Sequence, residues 1–306
     1  MTLHVILNPN ASNQQKTARG NDLKRTLRGI DFHFCPRAFD SHLWRVRELA
    51  RSGERQTVLA VGGDGTVNRL LPYLADSPVV LGILPAGTAN DLARSLKIPD
   101  QTDAAIHVVR AGVTTQIDLL EVNGRKFVTS GGIGLAAEAA RRANHWRKTP
   151  GVLRWLIRIL GNGVYPLAAA TLLSRNHGSV WVSIHKTDEA QSIRGLTVLF
   201  CNLQRLGRLF VPAPAACPRD GLLDLCVVHE PETLLGSCRV LFQSVFGDMN
   251  RLPGIQREQT RRVFLRSQKP LAFFGDGEIL TENLEFALRV LPRALTVHVP
   301  KLERAA

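Results

Sequence analysis

The sequence is poor in the features that usually assign a class at once. Its five cysteines, Cys35, Cys201, Cys217, Cys226 and Cys238, are odd in number and form no C-x-x-C pair. That usage fits a reduced, cytoplasmic compartment rather than a disulfide framework. The first residues, MTLHVILNPN, have neither a basic n-region nor a long apolar h-region, so no signal peptide is expected. No stretch reaches the ~18 uninterrupted apolar residues of a membrane span. The nearest candidate, Val152 to Leu173, carries Arg154 and Arg158 and is broken by Gly-Asn-Gly and Pro166. No G-K-[ST] occurs, which excludes a Walker A loop. Internal repeats and low-complexity segments are absent as well.

Acidic residues are scarce relative to basic ones: 39 Lys and Arg stand against 26 Asp and Glu, a formal net charge of +13. A field of that sign draws polyanions, whether nucleic acid, an anionic membrane surface or phosphorylated substrates. The deficit is sharpest between Ala139 and Thr187, where the first acid is Asp188. There Arg141, Arg142, Arg147, Lys148, Arg154 and Arg158 are interleaved with Trp146, Leu153, Trp155, Leu156, Ile157 and Leu160. A basic amphipathic helix with tryptophan suits an anionic membrane interface. The alternative is a core-packing helix with a solvated basic edge. No nucleic-acid-binding module is recognisable, so no nucleic acid partner is expected.

At 306 residues the chain has room for two domains. In the first ~110 residues, apolar runs alternate with helical patterns. LHVILNP, DFHFCP, TVLAVGG and VVLGILP read as strands, and residues 14–28, 41–51 and 66–75 as helices. This is the rhythm of a parallel, doubly wound sheet. From about Asp118 the rhythm changes. IDLLEVNGRKFV contains a hairpin-type Asn-Gly turn. After a helical interlude at 135–175 come short strand signals at hairpin spacing, with a helix near 232–247. LEFALRVL and ALTVHVP read as two separate strands. The second half is therefore expected to be an antiparallel sandwich or barrel.

AVGGDGTVNRLL, residues 60–71, runs from a strand through Gly62-Gly63-Asp64-Gly65-Thr66 into a helix. Glycines there let backbone N–H groups approach a phosphate, and the helix N-terminus adds a positive dipole. Asn68 stands where a dinucleotide fingerprint needs a third small residue. GILPAGTANDLAR, residues 82–94, repeats the arrangement, with Thr88 or Asn90 as N-cap or Thr88 as a phosphate ligand. Two such turns on adjacent strands would line one crevice at the carboxyl edge of the sheet, although each also reads as a plain capping turn. SGGIGLAAEA, residues 130–139, satisfies G-x-G-x-x-A but lacks the acidic residue expected ~20 positions on, so an NAD site is not expected there. Asp220 in CPRDGLLDL reads as an Asx turn that could also bind Mg2+. Glu278 in FFGDGEIL is a carboxylate beside a tight turn, able to act as a general base if it reaches the crevice.

These motifs resemble the diacylglycerol kinase catalytic domain family, in particular its soluble bacterial lipid kinases within the NAD kinase/diacylglycerol kinase-like superfamily. LNPN at 7–10, GGDGTVN at 62–68, LGILPAGTANDLAR at 81–94, CPRDGLLDL at 217–225 and GDGE at 275–278 follow the family's order and spacing over essentially the whole chain. The Gly-Asp-Gly-Thr element alone is shared with NAD kinases and phosphofructokinases. Its pairing with PAGTAND and a late DGE is more specific to lipid kinases.

The resemblance implies an N-terminal three-layer α/β ATP-binding domain, residues 1–118 with 293–306 returning to it, and a C-terminal antiparallel β-sandwich, residues 119–292. It implies that Gly62, Gly63, Asp64, Gly65, Thr66, Val67 and Asn68 hold the phosphates of ATP and Mg2+, that Thr88 lines the ATP pocket, and that Glu278 accepts the proton. Asp64 and Glu278 are the expected catalytic pair. Asp220, with the carbonyls of Cys217 and Leu222, matches a structural Mg2+ site. Pro36 stands where the family often has a threonine contact to ATP. The expected activity is ATP- and Mg2+-dependent phosphorylation of a lipid alcohol such as diacylglycerol or phosphatidylglycerol, by a cytoplasmic enzyme resting peripherally on an anionic membrane. A homodimer is left open. The alternatives are an NAD-kinase-like kinase of a soluble substrate, and a catalytically silent nucleotide-binding protein that docks on membranes.

Overall fold

The computed structural model describes residues 3–7, 25, 27, 32–35, 39–149, 163–173, 180–185, 190–207, 210–246 and 254–301. The Asn-Pro-Asn turn after Leu7, most of the helix expected at 14–28, Pro36, and Arg154 and Arg158 lie outside them. The chain divides into two compact units: residues 1–119 with 292–306, and residues 120–291.

The first unit is an α/β domain. Strands β1 (Leu3–Leu7), β2 (Phe32–Cys35), β3 (Thr57–Gly62) and β4 (Val80–Pro85) form a parallel sheet in the order β2-β1-β3-β4. The sheet is completed beyond β4 by the end of the last strand, where Val297 pairs in parallel with Leu81. All six residues of β3 and all six of β4 are buried, which explains why their sequences are apolar runs rather than alternations. Helices α1 (Phe39–Arg51) and α2 (Asp64–Leu74) pack on each other, and α4 (Thr102–Ala111) packs on β4. A five-residue helix, α3 (Asp91–Ser95), follows β4. The strand order reverses direction at β1, so the carboxyl ends of β1 and β3 flank the switch point at which open α/β sheets bind ligands.

The second unit is an antiparallel sandwich. Strand β5 (Thr114–Val122) leads into it and turns through Asn123 and Gly124, both at positive φ (46° and 80°), into β6 (Arg125–Phe127). This is the hairpin that Asn-Gly predicts. The pairing continues through β7 (Ser130–Gly134), β8 (Val180–His185), β9 (Ala190–Cys201), β10 (Leu223–His229), β11 (Ile255–Thr260), β12 (Arg262–Gly275) and β13 (Glu278–His298). Long strands serve both layers. The first half of β9 pairs with β8 and its second half with β7, while β12 pairs with β8 before a register shift and with β7 after it.

Phe273 lies at the centre of the sandwich core, with ring centroids 5.8 Å from Phe127, 5.9 Å from Phe200 and 5.6 Å from Phe286. On β12, Val263 and Leu265 are buried while Arg262 and Arg266 are exposed, the period-2 pattern of a strand with one covered face. A second apolar layer joins α5 (Leu135–Lys148), α6 (Val164–Leu173) and α7 (Leu234–Phe246) to residues such as Leu199, Cys226 and Phe274. Among the described residues Cys201, Cys217, Cys226 and Cys238 are free thiols, and burial pushes the Cys226 thiol up to about 11.

Two expectations need correction. The strands expected separately at LEFALRVL and ALTVHVP are one 21-residue strand, β13, because Pro292 and Arg293 (φ 53°) are absorbed within it. The Arg293 N–H is held by the buried carboxylate of Asp118 at 2.7 Å, which replaces a ladder bond at the irregular point. The helix expected from Thr66 begins two residues earlier, at Asp64.

At the other end of the parallel sheet, His298 is buried and shares a 3.2 Å hydrogen bond with Thr57 Oγ1. Burial, aided by the Arg55 charge, lowers its pKa from the ordinary 6.5. A base whose folded pKa is depressed binds fewer protons when folded, so stability is full above pH 6.5 and declines as pH falls below it. Melting temperatures measured from pH 8 to pH 5 should therefore drop on the acid side, and His298→Gln should flatten part of that drop.

Candidate active site

The first constellation is built from the ends of β3 and β4. Gly62 closes β3 with no room for a side chain, since a Cβ there would collide with the buried Thr66 side chain. Gly63 is extended (φ −105°, ψ −168°) and precedes α2 without a side-chain cap, while its carbonyl accepts the N–H of Thr66 at 2.8 Å and of Val67 at 3.3 Å. The turn after β4 lies directly against it. A Cβ on Gly87 would stand 2.5 Å from the Gly63 Cα, and one on Gly63 would stand 2.8 Å from the Gly87 Cα. Two backbones meet here at a distance only glycine permits.

Asn90, left-handed at φ 52° and ψ 46°, closes the second turn. Its Oδ1 accepts the Gly87 N–H at 2.9 Å and its Nδ2 donates to the Gly87 carbonyl at 3.1 Å. It therefore does not cap its own helix, and neither does Thr88, which is exposed. The cap comes from the other loop: Asp64 Oδ1 accepts the Leu92 N–H at 3.2 Å. Burial pushes the Asp64 carboxyl up, opposed by N–H groups of Asp91, Leu92, Asp64 itself and Asn90. A carboxylate whose desolvation is incompletely offset is a fitting partner for a divalent cation. Asn68 is half-buried on α2, and Gly65 is exposed. A Cβ at Gly65 would meet nothing within 4 Å, so no neighbour in the protein explains a glycine there.

The second constellation belongs to the sandwich unit. Asp276 and Gly277, at φ 53° and 82°, form the two-residue turn between β12 and β13. Asp276 is buried and structural. Its Oδ1 accepts the Thr129 N–H and Oγ1–H, each at 2.7 Å, its two oxygens accept the Val128 N–H at 3.1 Å, and its own N–H donates to the Ser130 carbonyl. Glu278, two residues on, is exposed and receives a 3.1 Å hydrogen bond from Asn144 Nδ2. The sequence reading missed Asn144 and the buried role of Asp276. Asp276 lay inside the GDGE motif, whereas Asn144 lies 134 residues before Glu278 and carries no local signal.

The third is the 217–222 turn. Asp220 is exposed, its Oδ1 accepts the Leu222 N–H at 2.9 Å, and its N–H points to the Cys217 carbonyl at 3.5 Å. This is an Asx turn. Buried Asp224 is nearby, its carboxyl pushed up by burial and then by the Asp220 charge, a repulsion that a cation would relieve. Carboxylate and main-chain carbonyl oxygens are suitable hard donors for Mg2+. Among the described residues no group of three His, Cys, Asp or Glu side chains is placed to hold a metal.

The glycines of residues 131–134 serve the sheet. A Cβ on Gly131 would stand 2.6 Å from the Phe274 carbonyl oxygen, and one on Gly134 2.7 Å from that of Leu196. In the basic segment, Arg141 pairs with Glu138 at 2.6 Å, Arg142 lies over Trp146 and donates to Thr171, and Arg147 donates to Tyr165.

Residues 2–122 match the diacylglycerol kinase catalytic domain, and residues 129–299 match the YegS C-terminal NAD kinase beta sandwich-like domain. A "probable lipid kinase YegS-like" of Pseudomonas aeruginosa is 30% identical over 266 residues, covering 85% of this chain and 82% of that one. One of the same description from Yersinia pestis is 28% identical over 263 residues, covering 84% and 83%. Among solved structures, a diacylglycerol kinase from Bacillus anthracis superposes with a TM-score of 0.74 at 19% identity, covering 98% of this chain and 96% of that one.

The glycine contacts make a direct prediction. Gly63→Ala and Gly87→Ala each force a methyl into the facing backbone and should cost about 1–3 kcal/mol, read as a lowered melting temperature. Gly65→Ala should stay within about 0.5 kcal/mol of the parent. Equal losses at all three positions would contradict the arrangement.

Proposed function

This chain belongs to the diacylglycerol kinase catalytic domain family, among its YegS-like lipid kinases, and from that premise we propose that it transfers the γ-phosphate of ATP to a hydroxyl group of a lipid. The observation that carries the reading is the pair of glycine turns at the carboxyl ends of β3 and β4, tied by the Asp64 carboxylate, with Gly65 open and Thr88 exposed beside them. Phosphoryl transfer asks for positioning, neutralisation of phosphate charge, and a base for the incoming hydroxyl.

In this reading the backbone from Gly62 to Asn68 cradles the phosphates, and the missing side chain at Gly65 lets them approach. Thr88 offers its hydroxyl to the nucleotide. Asp64 would hold Mg2+, which when bound neutralises phosphate charge, and the 217–222 turn would hold a second, structural Mg2+. Glu278 takes the proton of the lipid hydroxyl. Diacylglycerol and phosphatidylglycerol both present such a hydroxyl.

A lipid substrate has to be met at a bilayer. No helix among the described residues is long and apolar enough to cross one. Contact with an anionic surface is supported by α7, where Leu235 and Phe242 are 80% and 63% exposed and Arg239 lies between them on the same stripe. Arg141, Arg142 and Arg147, engaged within the protein, contribute less than their sequence pattern suggests.

Two measurements test the proposal. Incubation with labelled ATP, Mg2+ and total bacterial lipid extract should yield a labelled lipid, identified by mass, and Glu278→Gln should lower its formation by about 10²–10⁴-fold while leaving ATP binding nearly intact. Wild-type turnover in that variant would remove the base assignment. Binding to vesicles containing phosphatidylglycerol should weaken as salt rises and should fall in the Leu235→Ser/Phe242→Ser variant; indifference to both would refute the membrane contact.

A further inference from the structure

Glu278 is an exposed side chain at the start of a strand, and a free glutamate loses rotamer entropy when it is fixed. Its carboxylate is nevertheless met by a specific donor. Asn144, in the C-terminal half of α5, gives its Nδ2 to two acceptors of the same hairpin: the Gly277 carbonyl at 2.9 Å and Glu278 Oε2 at 3.1 Å. Its Oδ1 faces Arg147 Nη1 at 3.4 Å. All three partners require one orientation of the amide, because a carbonyl and a carboxylate can only accept and a guanidinium can only donate.

The support continues behind it. Arg147 donates to the Tyr165 hydroxyl at 2.9 Å, and its guanidinium lies over the Tyr165 ring, 4.8 Å from the centroid. The Tyr165 hydroxyl in turn stands 3.1 Å from where a Cβ on Gly277 would be. Turn, helix α5 and helix α6 thus close a loop of contacts through Asn144, Arg147, Tyr165 and Gly277. On the other side of the turn, Asp276 anchors the hairpin to Val128 and Thr129.

We propose that Asn144 is a positioning residue for Glu278: it fixes the direction of the carboxylate, with Arg147 and Tyr165 fixing Asn144. The proposal rests on the reading of Glu278 as proton acceptor. A base acts only when its oxygen is held within hydrogen-bond reach of the proton it takes, so a fixed direction is what Asn144 supplies. The amide gives up nothing in the reaction; it acts through Glu278.

The test is Asn144→Leu, which keeps the bulk and removes both donated hydrogen bonds without placing a second carboxylate beside Glu278. In the labelled-ATP and lipid-extract assay, kcat should fall about tenfold while KM for ATP holds. Tyr165→Phe, which leaves the bonds of Asn144 intact, should show a smaller loss of kcat, again with KM for ATP unchanged. It keeps the test open if Asn144→Leu fails to fold, as judged by circular dichroism and melting. Wild-type kcat in the folded variants would overturn the positioning role. If Glu278→Gln is inactive and Asn144→Leu is unchanged, only the positioning role fails. If Glu278→Gln turns over normally, the proton-acceptor reading fails with it.

Discussion

The first unit is organised around a contact between two backbones. Gly63 and Gly87 touch without side chains between them, and that closeness lets the Asp64 carboxylate reach across to the N-terminus of α3. A helix of five residues cannot stand alone, because nucleation costs more than so few hydrogen bonds return. Its position is therefore borrowed from the neighbouring loop. Asn90 completes the arrangement by closing the second turn on Gly87. The result is two glycine turns held against each other, with one half-buried acid and an open position at Gly65.

Much of this could be read from residue order. The glycines, the buried parallel strands and the hairpin at Asn123–Gly124 follow from local chemistry, since each is a backbone conformation or a burial pattern written into consecutive residues. What could not be read is which of the glycines the fold itself requires. Gly62, Gly63 and Gly65 look alike in sequence, yet the first two are required by Thr66 and Gly87 and the third by nothing in the protein. The trans-cap by Asp64 was hidden for the same reason. Its partner lies 28 residues away, beyond any periodicity.

The second unit repeats the lesson with acids. Asp276 and Glu278 are two residues apart in one motif, but the first sits in the left-handed turn and points inward to Val128 and Thr129, while the second opens the next strand and is exposed. One holds the hairpin, and the other is met at the surface by Asn144. The basic segment after Ala139 was legible as a composition but not as a set of contacts. Arg141, Arg142 and Arg147 each turn to a partner inside the protein, whereas the exposed apolar pair on α7 lies in a helix whose sequence carries little charge.

Strand β13 begins at Glu278 and ends at His298, where Val297 pairs with Leu81 on the far side of the chain's own sequence. The first unit is therefore discontinuous in sequence: its sheet is finished by residues that follow the whole second unit. A parallel sheet stripped of that strand presents an unpaired edge at β4, an open template for other chains. Recombination between relatives at the obvious boundary near residue 119 would transplant four strands and leave the fifth behind, so the recipient's own tail would have to seal a foreign sheet. Inheritance of this unit runs through two separated segments of the chain at once.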